Sequence, residues 1–499
     1  MGFDSGKGFS GFSVLHNNPS SNLVINFTFL NPFASPNTMG QNAVNNQDLV
    51  EDIIEKLKEE NIDSVRFEYC DINAVARSKT IPSRHFKSKV NYGLLFPICC
   101  LTIDPKGGMV NDHIIERYLW SDMVCYPDLS TFTVLPWMQK TARVFVTPLS
   151  VGDGDQVKID PRTIAMTQIK ALLKKKIKLL SSLEYELWLV DEITRKPVNT
   201  DINIFSTIRL SKYQDFFNKV SRNLFTVGVD IECIESEYAK GQFELPMEPA
   251  FGVQAGDNAV TFRTGIKEMA LQEGLMASFM TKPYEDADGA SGHFNHSLWS
   301  LDGKTSLLAD TSRPSGLSEI GEYWIAGILA HVPALSVLQA PTLNCRDRNK
   351  PGTFAPFNAT WGYDNRTCAV RLKGNTEQGF YIENRLGSSA GNPYINLAAT
   401  IAAGIDGINR QLLLPKALPL NKSSDDEGII PPGTVLIPTD GEDALQALLS
   451  DEPLVKALGS EFVKTFEAIR RHEMKLMDDY TKSGANKVKW ARELYFEYI

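Results

Sequence analysis

Ser182-Leu183-Glu184-Tyr185-Glu186-Leu187-Trp188-Leu189 reads as a strand in which Glu184 and Glu186, two residues apart, point to the same face. Two carboxylates side by side repel each other unless something positive sits between them. An isolated Glu-x-Glu is ordinarily a solvated strand face, because glutamate is mostly exposed. Here Leu183, Leu187, Trp188, Leu189 and Val190 give the strand a buried character, and a buried acidic pair calls for cations. Both readings stand until the neighbouring segments are considered.

A second acidic set follows at Glu235-Ser236-Glu237-Tyr238-Ala239-Lys240-Gly241-Gln242-Phe243-Glu244-Leu245, where Glu237 and Glu244 bracket a glycine-containing turn. Taken alone it is an acidic loop. His293 and Asn295, two apart in Asp288-Gly289-Ala290-Ser291-Gly292-His293-Phe294-Asn295-His296-Ser297-Leu298-Trp299, share a strand face after a glycine-rich approach. A lone histidine is more often packed or exposed than a ligand. Arg346, Arg348, Arg366 and Arg371 come next, then Glu383 and Arg385 in Tyr381-Ile382-Glu383-Asn384-Arg385. Each of these, alone, is consistent with surface salt bridges.

Their order is more specific than any one piece. Glu-x-Glu, Glu-x6-Glu, Gly-x3-His, paired arginines and Glu-x-Arg resemble the catalytic half of class I glutamine synthetases. The resemblance extends from about Gln47 to Ile499 and takes in Thr131-Phe132-Thr133-Val134-Leu135-Pro136-Trp137, Ala390-Gly391-Asn392-Pro393-Tyr394 and Ala402-Ala403-Gly404-Ile405-Asp406-Gly407. Within the family, Val65-Arg66-Phe67-Glu68, Arg77-Ser78-Lys79-Thr80-Ile81-Pro82, Phe262-Arg263-Thr264-Gly265 with Lys267-Glu268, and His296-Ser297-Leu298-Trp299 look most like the lengsin branch of vertebrate lens proteins.

Residue by residue, the resemblance implies one metal site at Glu186, Glu237 and Glu244 and another at Glu184, His293 and Glu383. Six such ligands suit two Mg²⁺ or Mn²⁺ ions. Arg366 and Arg371 match arginines that hold the transferring phosphate, with Ser297 on the ATP side. Arg348 and Arg385 match those that grip substrate carboxylates, with Gly289 and Asn295 beside them. Guanidinium suits both tasks because its planar fork pairs with two oxygens at once. Arg366 and Arg385 are thus the candidate catalytic residues. The implied reaction is transfer of the ATP γ-phosphoryl group to a glutamate carboxylate, followed by attack of an amine.

Three departures fall where the amine would enter. The small-domain stretch that is Asp-Gly-Ser-Ser in glutamine synthetases reads Leu95-Phe96-Pro97-Ile98-Cys99-Cys100 here; the carboxylate expected before Ala355-Pro356 is Phe354; the second histidine after His293 is Asn295. Apolar groups in place of carboxylates remove what attracts ammonium, so such a pocket suits a larger, less charged amine, or none. Tyr381 also stands where an arginine is common. Two functions follow as expectations: an amine-using carbon–nitrogen ligase, and a lengsin-like scaffold protein with possible cytoskeletal partners. The lengsin branch is regarded as non-enzymatic and its vertebrate forms have lost metal ligands, whereas all six are kept here, which favours the ligase.

Outside the motifs, residues 1 to about 46 are rich in Ser, Asn, Gly and Phe and read as a disordered or loosely docked extension. Residues 47–155, with a helix from Gln47 to Ile62, a strand from Ser64 to Tyr69, and strand-like runs at Gly93–Ile103 and Ala142–Thr147, read as a small β-grasp-like domain. A boundary is expected near Val151 to Pro161, and residues 156–499 form the catalytic domain. There, strands at Leu183–Val190, Gly292–Ser300, Cys368–Leu372 and Gly379–Asn384 interleave with helices at Val260–Glu273, Tyr323–Leu338, Ile395–Ile408, Asp443–Leu449 and Glu461–Thr481. Without a Rossmann glycine fingerprint this is an α+β fold and not a doubly wound sheet.

With 51 Lys and Arg against 60 Asp and Glu, a net charge of −9, nucleic acid and anionic lipid are disfavoured as partners. Seven scattered cysteines without a CxxC pair predict no disulfide framework and a reducing, cytoplasmic setting. No apolar run reaches the ~20 residues of a membrane span. The resemblance implies a homo-oligomer, a dodecamer of two hexameric rings in which each site is completed by a neighbour's small domain. The apolar end Trp490, Leu494, Tyr495, Phe496, Tyr498 and Ile499 is expected to be buried, in a partner subunit as an oligomer lock or against its own domain.

Overall fold

The computed structural model describes residues 39 to 499, apart from Leu119, residues 151–156, Thr200, Ile202, Gln378 and Glu427. Most of the expected extension, and much of the expected boundary at 151–161, lie outside the described residues. The first helix, Met39–Glu59, begins inside the stretch read as an extension.

Two mixed sheets organise the chain, giving the α+β architecture. In the first, the hairpin Ala76–Pro82 and Ser64–Cys70 pairs in parallel with Thr141–Ser150, which is followed antiparallel by Asp122–Pro127 and the edge strand Leu94–Pro97. The run expected to be one strand from Gly93 to Ile103 stops at Pro97, and a single 3₁₀ turn carries Ile98 to Leu101. A proline can end a ladder because it has no N–H to give.

The second sheet is built around the long strand Lys178–Asp191. On one side lie, in order, Gly292–Trp299, Gly379–Asn384, Val370–Asn375 and Trp361–Tyr363; on the other, Gln242–Pro246 and Glu235–Ser236. Tyr185, Leu187 and Leu189 are fully buried on the helix-covered face, where the Tyr185 ring stacks on Phe262 of the helix Gln254–Leu271 at 5.9 Å. Burying each such side chain stabilises the fold by about 1.5–3 kcal/mol. Strand alternation then commits Glu184 and Glu186 to the opposite face.

The helix expected over Tyr323–Leu338 is two helices, Glu319–Ala330 and Val332–Gln339, bent by 74°. Pro333 starts the second, and His331 at the bend is held by Asp451 and Asp406 at 2.6 and 3.0 Å. The first half packs against Pro393–Arg410 through Gly327 and Gly407: a Cβ on Gly327 would lie 2.3 Å from the Ala403 carbonyl oxygen, so only glycine permits this approach.

The two sheet regions are tied by ion pairs and hydrogen bonds. Arg66 meets Glu268 at 2.6 Å, the Trp137 indole donates to the same carboxylate at 2.7 Å, and Asn392 donates to the Asp71 carbonyl at 2.7 Å. The apolar end of the chain is buried within its own subunit: Tyr495 and Ile499 are enclosed, and the Phe279 N–H donates to the Ile499 carbonyl at 2.9 Å. Own-domain packing, one of the two expectations for this segment, accounts for the burial of these side chains. No single helix among the described residues is long and apolar enough to cross a membrane.

Candidate functional site

Strand register assembles the site from distant segments. His293 is the direct cross-strand partner of Glu184, Glu383 partners Asn295, and Glu244 partners Glu186. Partners in register project to the same face, so four strands deliver their polar side chains to one place. Two groups of three result, Glu184–His293–Glu383 and Glu186–Glu237–Glu244, each with ligand-capable atoms within 4.8 Å of one another.

The two groups differ electrostatically. Glu383 is surrounded by basic groups: the cations Arg371, with Nη1 2.8 Å from Oε2, Arg385, with Nη1 on Oε1, and Lys373, with Nζ 3.8 Å away, and the His293 ring, with Nδ1 3.6 Å away. Burial opposes ionisation there, but Arg385, His293 and Arg371 hold Glu383 far below the usual carboxylate range. Burial likewise pushes Glu184 up, yet its bond to His293 at 3.3 Å brings it net below its ordinary value. His293 itself is lowered, by burial and then by Arg385, so its ring is neutral at pH 7 and able to act as a ligand.

The other triad makes no ion pair with any described Lys, Arg or His. Burial, with Glu237 next to it, raises Glu186; burial and the carboxylates Glu184, Glu186, Glu237 and Glu235 push Glu244 well above its ordinary value. Glu186 is held by Gln242 Nε2 at 2.6 Å and by the Ser291 N–H at 3.0 Å and hydroxyl. These contacts orient the carboxylate but do not cancel the charge of three acids. A divalent cation would, and oxygen donors are what Mg²⁺ and Mn²⁺ take.

The arginines divide. Arg371 is engaged by Glu383 and Asp364. Arg385 is buried; its NH2 donates to the Phe354 carbonyl at 2.9 Å and its Nε has no partner. Arg348, lowered to about 10 by burial, donates to the Leu386 and Arg385 carbonyls at 3.1 and 3.4 Å, so it fixes the backbone that carries Arg385. Gly289 is packed on Arg348, where a Cβ would come 2.7 Å from the arginine's own Cβ. Arg366 is exposed; burial raises both Glu235 and Glu237, and Arg366 lies near enough to offset part of that rise. Asn295 donates to Glu184 at 2.6 Å, leaving its Oδ1 buried without a partner, while the Ser297 hydroxyl accepts the Trp299 indole N–H at 2.8 Å. Phe354 presents an exposed ring, and the segment Leu95 to Cys100, the end of the edge strand of the first sheet and the 3₁₀ turn after it, makes no described hydrogen bond to either triad.

Sequence reasoning missed Ser291 and Gln242, which support Glu186, and Lys373, which faces Tyr381 across the ladder. Gln242 sat inside a quoted motif. Lys373 carried no motif signal, and only the register reveals it.

Comparison with known proteins agrees with this layout. Residues 158–488 match the family described as "Glutamine synthetase, catalytic domain". The chain is similar to lengsin of Rattus norvegicus, 36% identical over 444 residues that cover 87% of this chain and 76% of lengsin. It is also similar to a glutamate–isopropylamine ligase of a Pseudomonas species, 29% identical over 386 residues covering 73% and 81%. Among solved structures, a GmaS/ADP complex superposes with a TM-score of 0.75 at 25% identity, covering 88% of this chain and 98% of that one.

Proposed function

The chain belongs to the glutamine synthetase family, and from that premise we propose that it is an ATP-dependent carbon–nitrogen ligase that activates the γ-carboxylate of glutamate for attack by an amine larger than ammonia. The observation that carries this reading is the pair of triads on one sheet face, one of them made of three carboxylates that no described Lys, Arg or His meets at ion-pair distance. Glu186, Glu237 and Glu244 would hold one divalent ion, and Glu184, His293 and Glu383 the other. Bound there, the ions neutralise charge on the ATP phosphates and on the transferring phosphoryl group.

The chain's own residues do the rest. Arg385 offers its unpartnered Nε to a substrate carboxylate, and Asn295 Oδ1 is an acceptor for the glutamate ammonium group. Arg348 keeps Arg385 in place. Arg366, exposed beside the acidic triad, suits phosphate oxygens. In the reaction the γ-phosphoryl group passes to the glutamate oxygen and ADP leaves; the neutral amine nitrogen then attacks the acyl carbon, the carbon–oxygen bond to phosphate breaks, and the departing phosphate takes up the proton the nitrogen loses. Water has to be kept out, or the acyl phosphate is hydrolysed. Arg385 pins the Phe354 backbone over this region, and the apolar Phe354 ring supports an uncharged amine pocket. A ring assembly in which a neighbour's Leu95–Cys100 segment closes the pocket belongs to the same proposal.

A second reading, a scaffold protein without turnover, is favoured by the higher identity to lengsin than to the amine ligase, 36% against 29%. Phosphate release from ATP with glutamate, Mg²⁺ or Mn²⁺ and a panel of amines separates the two. Amine-dependent release supports the ligase; nucleotide binding without release under any amine supports the scaffold.

A further inference from the structure

Lys373 is a cation in the site whose role the triads do not explain. On the hairpin Val370–Asn375 and Gly379–Asn384, Arg371 is paired with Glu383 and Lys373 with Tyr381, so all four side chains share one face with the Glu184–His293–Glu383 group. Glu383 is already satisfied without the lysine, through Arg371 on one oxygen and Arg385 on the other. Lys373 Nζ stops 3.8 Å from Oε2, beyond a hydrogen bond.

What holds it there is Tyr381. The ammonium lies 5.0 Å from the tyrosine ring centre and pairs with that side chain. A lysine ammonium has three donors, and neither Tyr381 nor the distant Glu383 oxygen exhausts them. The side chain keeps about a quarter of its exposure, 25%. A lysine ammonium is charged at neutral pH. A charged, partly exposed cation with donors in reserve, held short of the nearest carboxylate beside a candidate metal site, is arranged for an anion that is not part of the chain. Polyphosphate is the anion that divalent ions and lysine commonly bind together.

We infer that Lys373, positioned by Tyr381, contacts the terminal phosphoryl group of the nucleotide triphosphate at the Glu184–His293–Glu383 end of the site. This rests on the ligase reading above and assigns one of its phosphate contacts. As the bond from phosphorus to the bridging oxygen breaks, its electron pair stays on ADP, and a glutamate oxygen supplies the pair for the new bond. Lys373 donates a hydrogen bond to a non-bridging oxygen throughout and loses no proton.

The test compares full-length wild type with K373M, K373Q, K373R and Y381F by calorimetry, using Mn²⁺ alone, Mg²⁺–ADP and the Mg²⁺ complex of the non-hydrolysable triphosphate AMP-PNP. Thermal unfolding of each variant checks the fold, and K373Q stands in if K373M is poorly folded. The expected result is ADP affinity within about twofold of wild type, AMP-PNP affinity down about tenfold or more in K373M, most of it restored in K373R, and a few-fold loss in Y381F, as for removal of one charged hydrogen bond. Equal losses for ADP and AMP-PNP, or weaker binding of Mn²⁺ alone, would make Lys373 a support for Glu383 and overturn the assignment. Unchanged affinities in every variant would overturn it too, with the ligase reading intact. A wild type that binds neither nucleotide would remove both.

Discussion

Glu184 and His293, 109 positions apart in the chain, are direct partners across the antiparallel pairing of Lys178–Asp191 with Gly292–Trp299, and His293 Nδ1 lies 3.3 Å from the Glu184 carboxylate. On its other side Gly292–Trp299 pairs with Gly379–Asn384, and that register puts Asn295 beside Glu383. A slip of one residue would turn His293 to the helix-covered face, so register is part of the site's chemistry.

Metal binding tests that arrangement. Each triad is expected to hold one divalent ion, so titration of wild type with Mn²⁺ gives two sites. Glu186→Ala removes a ligand from one group and His293→Ala from the other, and each variant is expected to retain one site with its affinity near wild type. Loss of a direct ligand weakens the damaged site by more than the roughly 10–100-fold seen when only a supporting residue is removed. Two undiminished sites in both variants would refute the assignment.

On the ligase proposal, amine selection follows from what the proposed pocket lacks. Phe354 and the Leu95–Cys100 segment offer no carboxylate to attract ammonium or to take its proton. Product formation with millimolar ammonium is expected to be weak against that with small alkylamines at equal concentration, measured by mass spectrometry of the glutamyl product. Strong glutamine formation would contradict it. Phe354→Glu is expected to shift the preference toward ammonium.

The helix bend at His331 gives a pH-dependent stability. Burial pulls the ring's pKa down, but Asp451 at 2.6 Å and Asp406 at 3.0 Å raise it net above its ordinary value, with Arg410 sharing Asp406 at 2.9 Å. Unfolded histidine titrates near about 6.5. The stabilisation from charged His331 is therefore complete below that pH and lost as pH rises through the raised folded value. His331→Gln is expected to flatten the fall of the unfolding midpoint as pH rises above about 6.5. At pH 6 its cost should sit toward the low end of the roughly 3–5 kcal/mol for breaking a buried pair, because Arg410 still serves Asp406. Parallel wild-type and variant profiles would rule the clamp out.

How much of this was legible beforehand depended on whether a feature is local. The strand Gly379–Asn384 is readable to the residue, and the six triad members are readable because the order of their motifs resembles the glutamine synthetase family. Pairing is not local. Lys373 gains meaning only opposite Tyr381, and Arg348 only by its contact with the backbone of Arg385. The bend at His331 was hidden for a different reason: an apolar stripe runs through it, and periodicity does not register a turn of direction. At the chain end, apolar content predicts burial without saying against what, and only the structure shows the contacts with its own domain.

That end carries the last prediction. Tyr495 is fully buried, and its hydroxyl donates to Glu473 at 3.0 Å; Arg470 meets the same carboxylate at 2.9 Å and reaches the Pro341 carbonyl at 3.0 Å and Asn73. Burial pushes Glu473 up to about 7. Tyr495 thus closes a network joining the long helix Ser460–Thr481, the hairpin turn of the first sheet and the segment leading to Arg346 and Arg348. Tyr495→Phe withdraws one donor from a buried carboxylate and is expected to cost about 1–3 kcal/mol. Deleting Tyr495 to Ile499 also removes the buried side chains of Phe496 and Ile499 and should cost several kcal/mol more. The result is a lower thermal midpoint, with the fraction that stays folded keeping the assembly mass of the full chain. Light scattering beside thermal unfolding separates the two roles. A smaller assembly at an unchanged midpoint would return the segment to the subunit interface; a lower midpoint at an unchanged mass shows that it is part of its own domain's core.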